Sequence, residues 1–118
     1  NPRTPVSPSK THFGVQQIEA FNETYPGSPL AGKAQLAHGA ALEGQGDMKG
    51  AARAYLAAFS QNPNGSDAPE ALFRLGTGLG RIGQTKEACV TLSEVSLRFP
   101  GGDAAQKAAA EHSRLGCQ

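Results

Sequence analysis

Apolar residues recur every three or four positions along most of this chain, which is the spacing of an amphipathic α-helix. The spacing covers residues 12–24 and predicts longer helices over about 30–43, 48–61, 86–98 and 104–115, with another that follows a cap at Ser66 or Asp67 and ends at Arg81. Clusters of glycine, proline, asparagine and aspartate separate these segments. No segment shows the period of two that indicates a strand. The pattern therefore predicts an all-α chain of helical hairpins with about five helices.

A 37-residue period runs through the chain. Pro26, Pro63 and Pro100 lie one period apart, and each follows a predicted helix. The same step relates small residues inside the helices, namely Ala34 with Ala71 and Ala108, Gly39 with Gly76, and Ala51 with Ala88. A period of this size is typical of repeats that stack side by side and leave a surface for partners.

Two glycines occupy positions where a helix would ordinarily avoid them. Gly39 and Gly76 fall inside predicted helices, where glycine costs about 1 kcal/mol relative to alanine. Because they recur at the repeat step, we expect a neighbouring helix to pack against the bare backbone, with Tyr55 and Leu92 filling the gap between hairpins. The first long helix is expected to face inward with Ala34, Ala37, His38, Ala41 and Leu42.

Composition and charge argue against nucleic-acid binding and membrane insertion. The formal net charge is +1 and no basic stripe favours nucleic acid as a partner. No apolar run approaches the roughly 20 residues of a membrane span, so direct membrane insertion is not predicted. Residues 1–11 contain three prolines among polar residues and are predicted to be an extended tail or linker, which leaves 12–117 as the repeat domain.

The order of residue types within each period resembles the tetratricopeptide repeat. That repeat places a small residue midway in helix A, glycine before helix B, then alanine, a large residue and alanine along helix B before a closing proline. These positions are held by Gly39, Gly46, Ala51, Tyr55, Ala58 and Pro63, and one period later by Gly76, Gly83, Ala88, Leu92, Val95 and Pro100. The resemblance implies hairpins stacked in a right-handed superhelix, with residues 12–24 as the helix B of a first repeat.

The residues between these positions are similar to one narrower family, the C-terminal domain of the Tol–Pal system protein YbgF, also called the cell division coordinator CpoB. The similarity lies in F…YP-x-S at 21–28, A…LG at 71–76 and G…EAC…L…FP at 83–100. It implies a periplasmic module that binds TolA, engages the peptidoglycan synthase machinery, and coordinates outer-membrane constriction with septal peptidoglycan synthesis during cell division. Full-length members trimerise through an N-terminal coiled coil. This chain shows no such heptad segment, so a trimer is expected only through a coiled coil outside it.

The resemblance also implies which residues line the inner groove, because helix A of each hairpin faces it. The corresponding positions are Lys33, Leu36, Ala40 and Glu43 in one helix, Glu70, Phe73, Thr77 and Arg81 in the next, and Lys107, Ala110 and Arg114 in the last. Leu36 and Phe73 lie off the expected packing face, one period apart. An exposed apolar pair flanked by charges suits capture of a partner segment. Ordinary packing in a thin fold is the alternative for both.

The two cysteines are candidates for a disulfide. Cys89 lies in the first turn of its predicted helix and Cys117 at the end of the following antiparallel helix, so the two ends should be adjacent. A bond would attach the terminal helix to the stack, as an oxidising compartment such as the periplasm permits. Two free thiols are the alternative.

The sequence gives little indication of nucleotide binding, metal binding or catalysis. The glycines of residues 76–80 fall inside a helix, whereas a nucleotide-binding loop needs a preceding strand. The three histidines lack a paired spacing for metal, and no nucleophile arrangement can be argued. We therefore predict a non-enzymatic interaction module without cofactor. The alternatives are a repeat-containing outer-membrane assembly lipoprotein and a regulatory binding domain of a larger envelope enzyme.

Overall fold

The computed structural model describes residues 31–118, which form five α-helices. They are α1 (Ala31–Gly44), α2 (Met48–Gln61), α3 (Ala68–Arg81), α4 (Thr85–Arg98) and α5 (Asp103–Arg114). Each predicted boundary in this range lies within about one residue of the observed one, and no strand occurs between residues 31 and 118. The predicted tail at 1–11 and helical segment at 12–24 lie outside the described residues.

The helices stack in the order of the chain. Each helix packs against the next one, and α5 packs against α3 as well as α4. α1 with α2 and α3 with α4 are thus two successive hairpins, and α5 takes the first position of a third. The all-α architecture of stacked hairpins predicted from the 37-residue period is confirmed for this part of the chain.

Glycines close the corresponding turns in the two hairpins. Gly46 lies between α1 and α2 at φ +83° and Gly83 lies between α3 and α4 at φ +87°. This left-handed conformation is open to glycine without the steric cost that a Cβ would bring. Asp47 follows the first turn and caps α2, because its Oδ1 accepts a hydrogen bond of 2.8 Å from the backbone N–H of Gly50.

The core contains three large, fully buried side chains, Tyr55, Leu92 and Val95, set among alanines. Four of the five alanines that recur at the repeat step, Ala51, Ala71, Ala88 and Ala108, are 0% exposed, and Ala34 is partly buried. Small side chains let the helices approach closely, which is how a chain with few aromatics fills its interior.

The two helical glycines pack as predicted. A Cβ built on Gly39 would lie 2.4 Å from Cε1 of Tyr55, and one on Gly76 would lie 2.7 Å from Cδ2 of Leu92. Both distances are well inside van der Waals contact. The same contact therefore joins helix A to helix B in each hairpin, once with tyrosine and once with leucine.

The inward face predicted for α1 is partly wrong. Ala37 is exposed, and Ala34, His38, Ala41 and Leu42 are only partly buried. The buried positions of this helix are Ala31, Gly32 and Gly39. Alanine, glycine and leucine occur on every side of α1, so its periodicity does not single out one apolar face.

A disulfide joins Cys89, the fifth residue of α4, to Cys117, just beyond α5. Its Cα atoms are 5.6 Å apart, and it closes a 28-residue separation in sequence. The predicted bond is present, and it attaches the end of the terminal helix to the hairpin before it. No helix among the described residues is long and apolar enough to cross a membrane.

Candidate partner-binding groove

A groove of about 590 Å³ lies along the side of the stack formed by α1, α3 and α5. These are the first helices of successive hairpins, so the groove crosses three repeats. Its lining residues are Glu43, Glu70, Phe73, Arg74, Thr77, Arg81, Lys107, Glu111 and Arg114. A surface that draws residues from consecutive repeats is the usual binding surface of a stacked-repeat protein.

Seven of the residues predicted to line the groove come together here. They are Glu43, Glu70, Phe73, Thr77, Arg81, Lys107 and Arg114. Lys33, Leu36 and Ala40, nearer the start of α1, and Ala110 on α5 do not line it. Lys33 instead pairs with Asp67 at 3.2 Å, Leu36 is partly buried against the core, and Ala40 is exposed.

Sequence reasoning missed two lining residues, Arg74 and Glu111. Each forms an ion pair within its own helix, Arg74 with Glu70 four residues before it and Glu111 with Arg114 three residues after it. Opposite charges at these spacings lie on one helix face. The charge pattern could therefore have identified both residues, whereas the repeat signature does not include them.

Phe73 is the large apolar side chain of the groove. It is partly buried and packs against the core, so only part of its ring faces the groove. Nζ of Lys107 lies 5.5 Å from the ring centroid, within the range of a cation–π contact. The groove thus offers one restricted apolar contact surrounded by charge.

Every cation in the groove is paired with a carboxylate. Nε of Arg74 lies 2.6 Å from Glu70, Nζ of Lys107 lies 3.6 Å from the same carboxylate, and Arg81 lies 3.7 Å from Glu43. The hydrogen bond that Arg74 donates to Glu70 is the largest cause of the raised pKa of Arg74.

The far end of the groove is paired in the same way. The hydrogen bond from Arg114 is the largest cause of the lowered pKa of Glu111. Lys107 also lies 3.3 Å from Asp103, whose hydrogen bond is the largest cause of its raised pKa. The groove is therefore a mixed-charge surface rather than a basic or acidic one.

A tyrosine from outside the groove orients two of these charges. The hydroxyl of the buried Tyr55 on α2 donates a 2.5 Å hydrogen bond to Glu43 on α1 and accepts one of 3.4 Å from Arg74 on α3. Burial, followed by the bond to Glu43, raises the pKa of Tyr55 to about 12. Leu92 takes the same place one repeat later and has no hydroxyl, so of the two hairpins between residues 31 and 98 only the first links neighbouring helices in this way.

The comparisons with known proteins agree with this architecture. A tetratricopeptide-repeat family profile matches residues 70–102, which span most of α3, all of α4 and the turn after it. No curated protein matches the chain. The α1–α2 hairpin lies outside the matched range but has glycine and alanine at corresponding positions, Gly39, Gly46 and Ala51, and the same glycine turn. Tetratricopeptide repeats generally serve as non-catalytic modules for binding other proteins.

Proposed function

We propose that the chain binds a protein partner through the groove between α1, α3 and α5. The observation that carries this proposal is the convergence of nine side chains from three repeats around the partly exposed ring of Phe73. Recognition would combine one apolar contact with ion pairs made to groove charges that are already oriented. Because Tyr55, Glu70 and Glu111 hold these charges in place, little side-chain entropy is lost on binding.

We further propose that this partner is TolA and that the protein acts in the periplasm as part of the Tol–Pal system. This identity rests on the similarity to the YbgF and CpoB family at 21–28, 71–76 and 83–100. The disulfide supports an oxidising compartment, since such bonds persist outside the reducing cytosol. In that setting the protein would help to coordinate outer-membrane constriction with septal peptidoglycan synthesis, and contact with peptidoglycan synthases belongs to the same proposal.

The test is a direct binding titration between the purified chain and the periplasmic part of TolA. Phe73→Glu places a charge at the apolar centre of the groove and should abolish binding. Leu97→Glu is the matched control, because Leu97 is 73% exposed on α4 and lies outside the groove. It should bind like the wild type.

Phe73 also contacts the core, so Phe73→Glu could abolish binding by unfolding the protein. A second variant at an exposed position separates these two causes. Lys107→Glu changes an exposed side chain and reverses one groove charge, and it should weaken binding while far-UV circular dichroism stays unchanged. Equal binding by all variants would reject the groove but keep the Tol–Pal assignment. Absence of TolA binding by the wild type would reject the assignment itself.

A further inference from the structure

A second groove lies on a different side of the stack, between α2 and α3. Its volume is about 340 Å³, and its apolar lining is Ala52 and Leu56 from α2, Leu75 and Leu79 from α3, and Ile82 just beyond α3. Leu56 is 50% exposed, and Leu79 and Ile82 are partly exposed. We call this surface the α2–α3 groove. It shares no lining residue with the groove proposed to bind the partner.

The two grooves use opposite sides of one helix. Phe73 and Thr77 of α3 face the first groove, whereas Leu75 and Leu79 face the second. Residues two apart are separated by about 200° around an α-helix, so the two surfaces point away from each other. A ligand in one groove therefore leaves the other accessible.

The cations of the α2–α3 groove, unlike those of the first groove, are not paired with carboxylates. Lys49 and Arg53 are its charged lining residues, one turn apart on α2, and no carboxylate lines it. Within residues 31–118 neither cation forms an ion pair, whereas each cation of the first groove has a carboxylate within 4 Å. Two exposed cations without a carboxylate neighbour, beside an exposed leucine, are complementary in charge to an acidic segment with apolar side chains.

The corresponding location one repeat later, between α4 and α5, has a different lining. One period after Ala52, which lines the groove, the chain has Cys89, and the disulfide to Cys117 occupies the corresponding place between α4 and α5. Val90 takes the place of Arg53 and Gly116 that of Leu79. That location therefore combines a disulfide with a cavity of about 410 Å³ that no lysine or arginine lines, whereas two cations line the α2–α3 groove.

We propose that the α2–α3 groove binds an amphipathic helix with acidic residues from a second protein. The first residues of α2 lie beside the last residues of α3, so the two helices run antiparallel and form parallel ridges. On each ridge the lining residues recur at helical spacing, from Lys49 to Leu56 and from Leu75 to Ile82. The α2–α3 groove can hold apolar side chains at positions i, i+4 and i+7 of a docked helix, while carboxylates of the same helix lie beside Lys49 and Arg53.

The experiment uses a model peptide of about 16 residues, long enough to be partly helical alone. It carries leucine at i, i+4 and i+7 with glutamate beside the leucine stripe, and a matched peptide replaces each glutamate by lysine. Binding is followed by amide chemical shifts of the isotope-labelled chain. We expect the acidic peptide to shift residues in 49–56 and 75–82 and to bind about tenfold more tightly than the basic one.

Variants of the chain test the charged and the apolar contributions to peptide binding separately. Arg53→Glu should remove the preference for the acidic peptide, while Lys86→Glu, the same change at an exposed cation outside the groove, should not. Leu56→Ser should weaken both peptides, whereas Leu97→Ser, at a more exposed leucine, should leave them unchanged. These leucines are exposed, so folding should persist in both variants, and circular dichroism checks it.

The proposal is independent of the first groove. Lys107→Glu, which is designed to disrupt that groove, should bind the acidic peptide like the wild type. Failure of the acidic peptide to bind, equal affinity for both peptides, or shifts confined to other residues would each overturn the α2–α3 proposal. None of these outcomes bears on TolA binding.

Discussion

Replacing Gly76 by alanine tests the packing that holds a hairpin together. The added Cβ would lie 2.7 Å from Cδ2 and 2.8 Å from Cγ of Leu92, about 1 Å inside ordinary carbon–carbon contact. Leu92 is 1% exposed and enclosed by the core, so its branch point has little space to move into. Overpacking of this kind costs about 1–3 kcal/mol, against a gain of about 1 kcal/mol in helix propensity.

Gly78 supplies the matched control two residues further along α3. A Cβ there would lie 3.7 Å from Cβ of Ala52 and 3.9 Å from Cε of Met48, which is normal contact. Gly78→Ala gains the same helix propensity as Gly76→Ala, and its Cβ overlaps no neighbouring side chain. It should therefore stabilise the protein by about 0.5–1 kcal/mol. Because the propensity terms cancel, the difference between the two variants isolates a packing term of about 1–3 kcal/mol.

Urea denaturation followed by far-UV circular dichroism measures the free energy of unfolding of both variants. The expected order of stability is Gly78→Ala above wild type, with Gly76→Ala lowest. Gly39→Ala should also destabilise, since its Cβ would meet the rigid ring of Tyr55. Equal stability of the Gly76 and Gly78 variants would refute the idea that bare backbone at Gly76 is needed for α3 to approach α4.

The remaining predictions concern the disulfide and the buried tyrosine. Replacing both Cys89 and Cys117 by serine should lower the free energy of unfolding by roughly 3–4 kcal/mol in the chain-entropy model, and reductant should have no further effect on that variant. Tyr55→Phe should cost about 1–2 kcal/mol, because it removes the hydroxyl that contacts Glu43 and Arg74. In a Tyr25→Phe background, an ultraviolet titration should show Tyr55 ionising near pH 12. The folded state favours the neutral phenol, so the stability from this shift is present below pH 10 and is lost as the pH rises towards 12. A titration near pH 10, or a reductant effect on the serine variant, would contradict these expectations.

The helices could be predicted closely because turns and periodicity act locally. Gly46 and Gly83 mark turns that require positive φ, and proline after α2 and α4 ends each hairpin, so the boundaries follow from backbone chemistry alone. The inward face of α1 was harder to predict. Alanine suits both a buried and an exposed helix surface, so Ala37 carried no information about its orientation.

The groove was predictable in position but not in its internal bonding. The repeat signature specifies which residues of helix A turn inward, and Phe73, Thr77 and Arg81 follow it. The contact of Tyr55 with Glu43 and Arg74 depends on three helices meeting at one point, which no single-helix pattern encodes. Leu36 and Phe73 lie one period apart and both pack against the core, yet only Phe73 lines the groove.

Equivalent positions in the two hairpins have the same geometry and different chemistry. Gly39 and Gly76 both receive a side chain from helix B, yet Tyr55 continues past the glycine to two groove charges while Leu92 ends in the core. Ala52 and Cys89 differ in the same way, since Ala52 lines the α2–α3 groove and Cys89 forms the disulfide that joins α4 to the residues after α5. Stacking requires only that helices meet at small residues, and it leaves the longer side chains free to vary. For that reason one stack can form two grooves with different chemistry, while the disulfide of the second hairpin fixes the terminal helix that completes one of them.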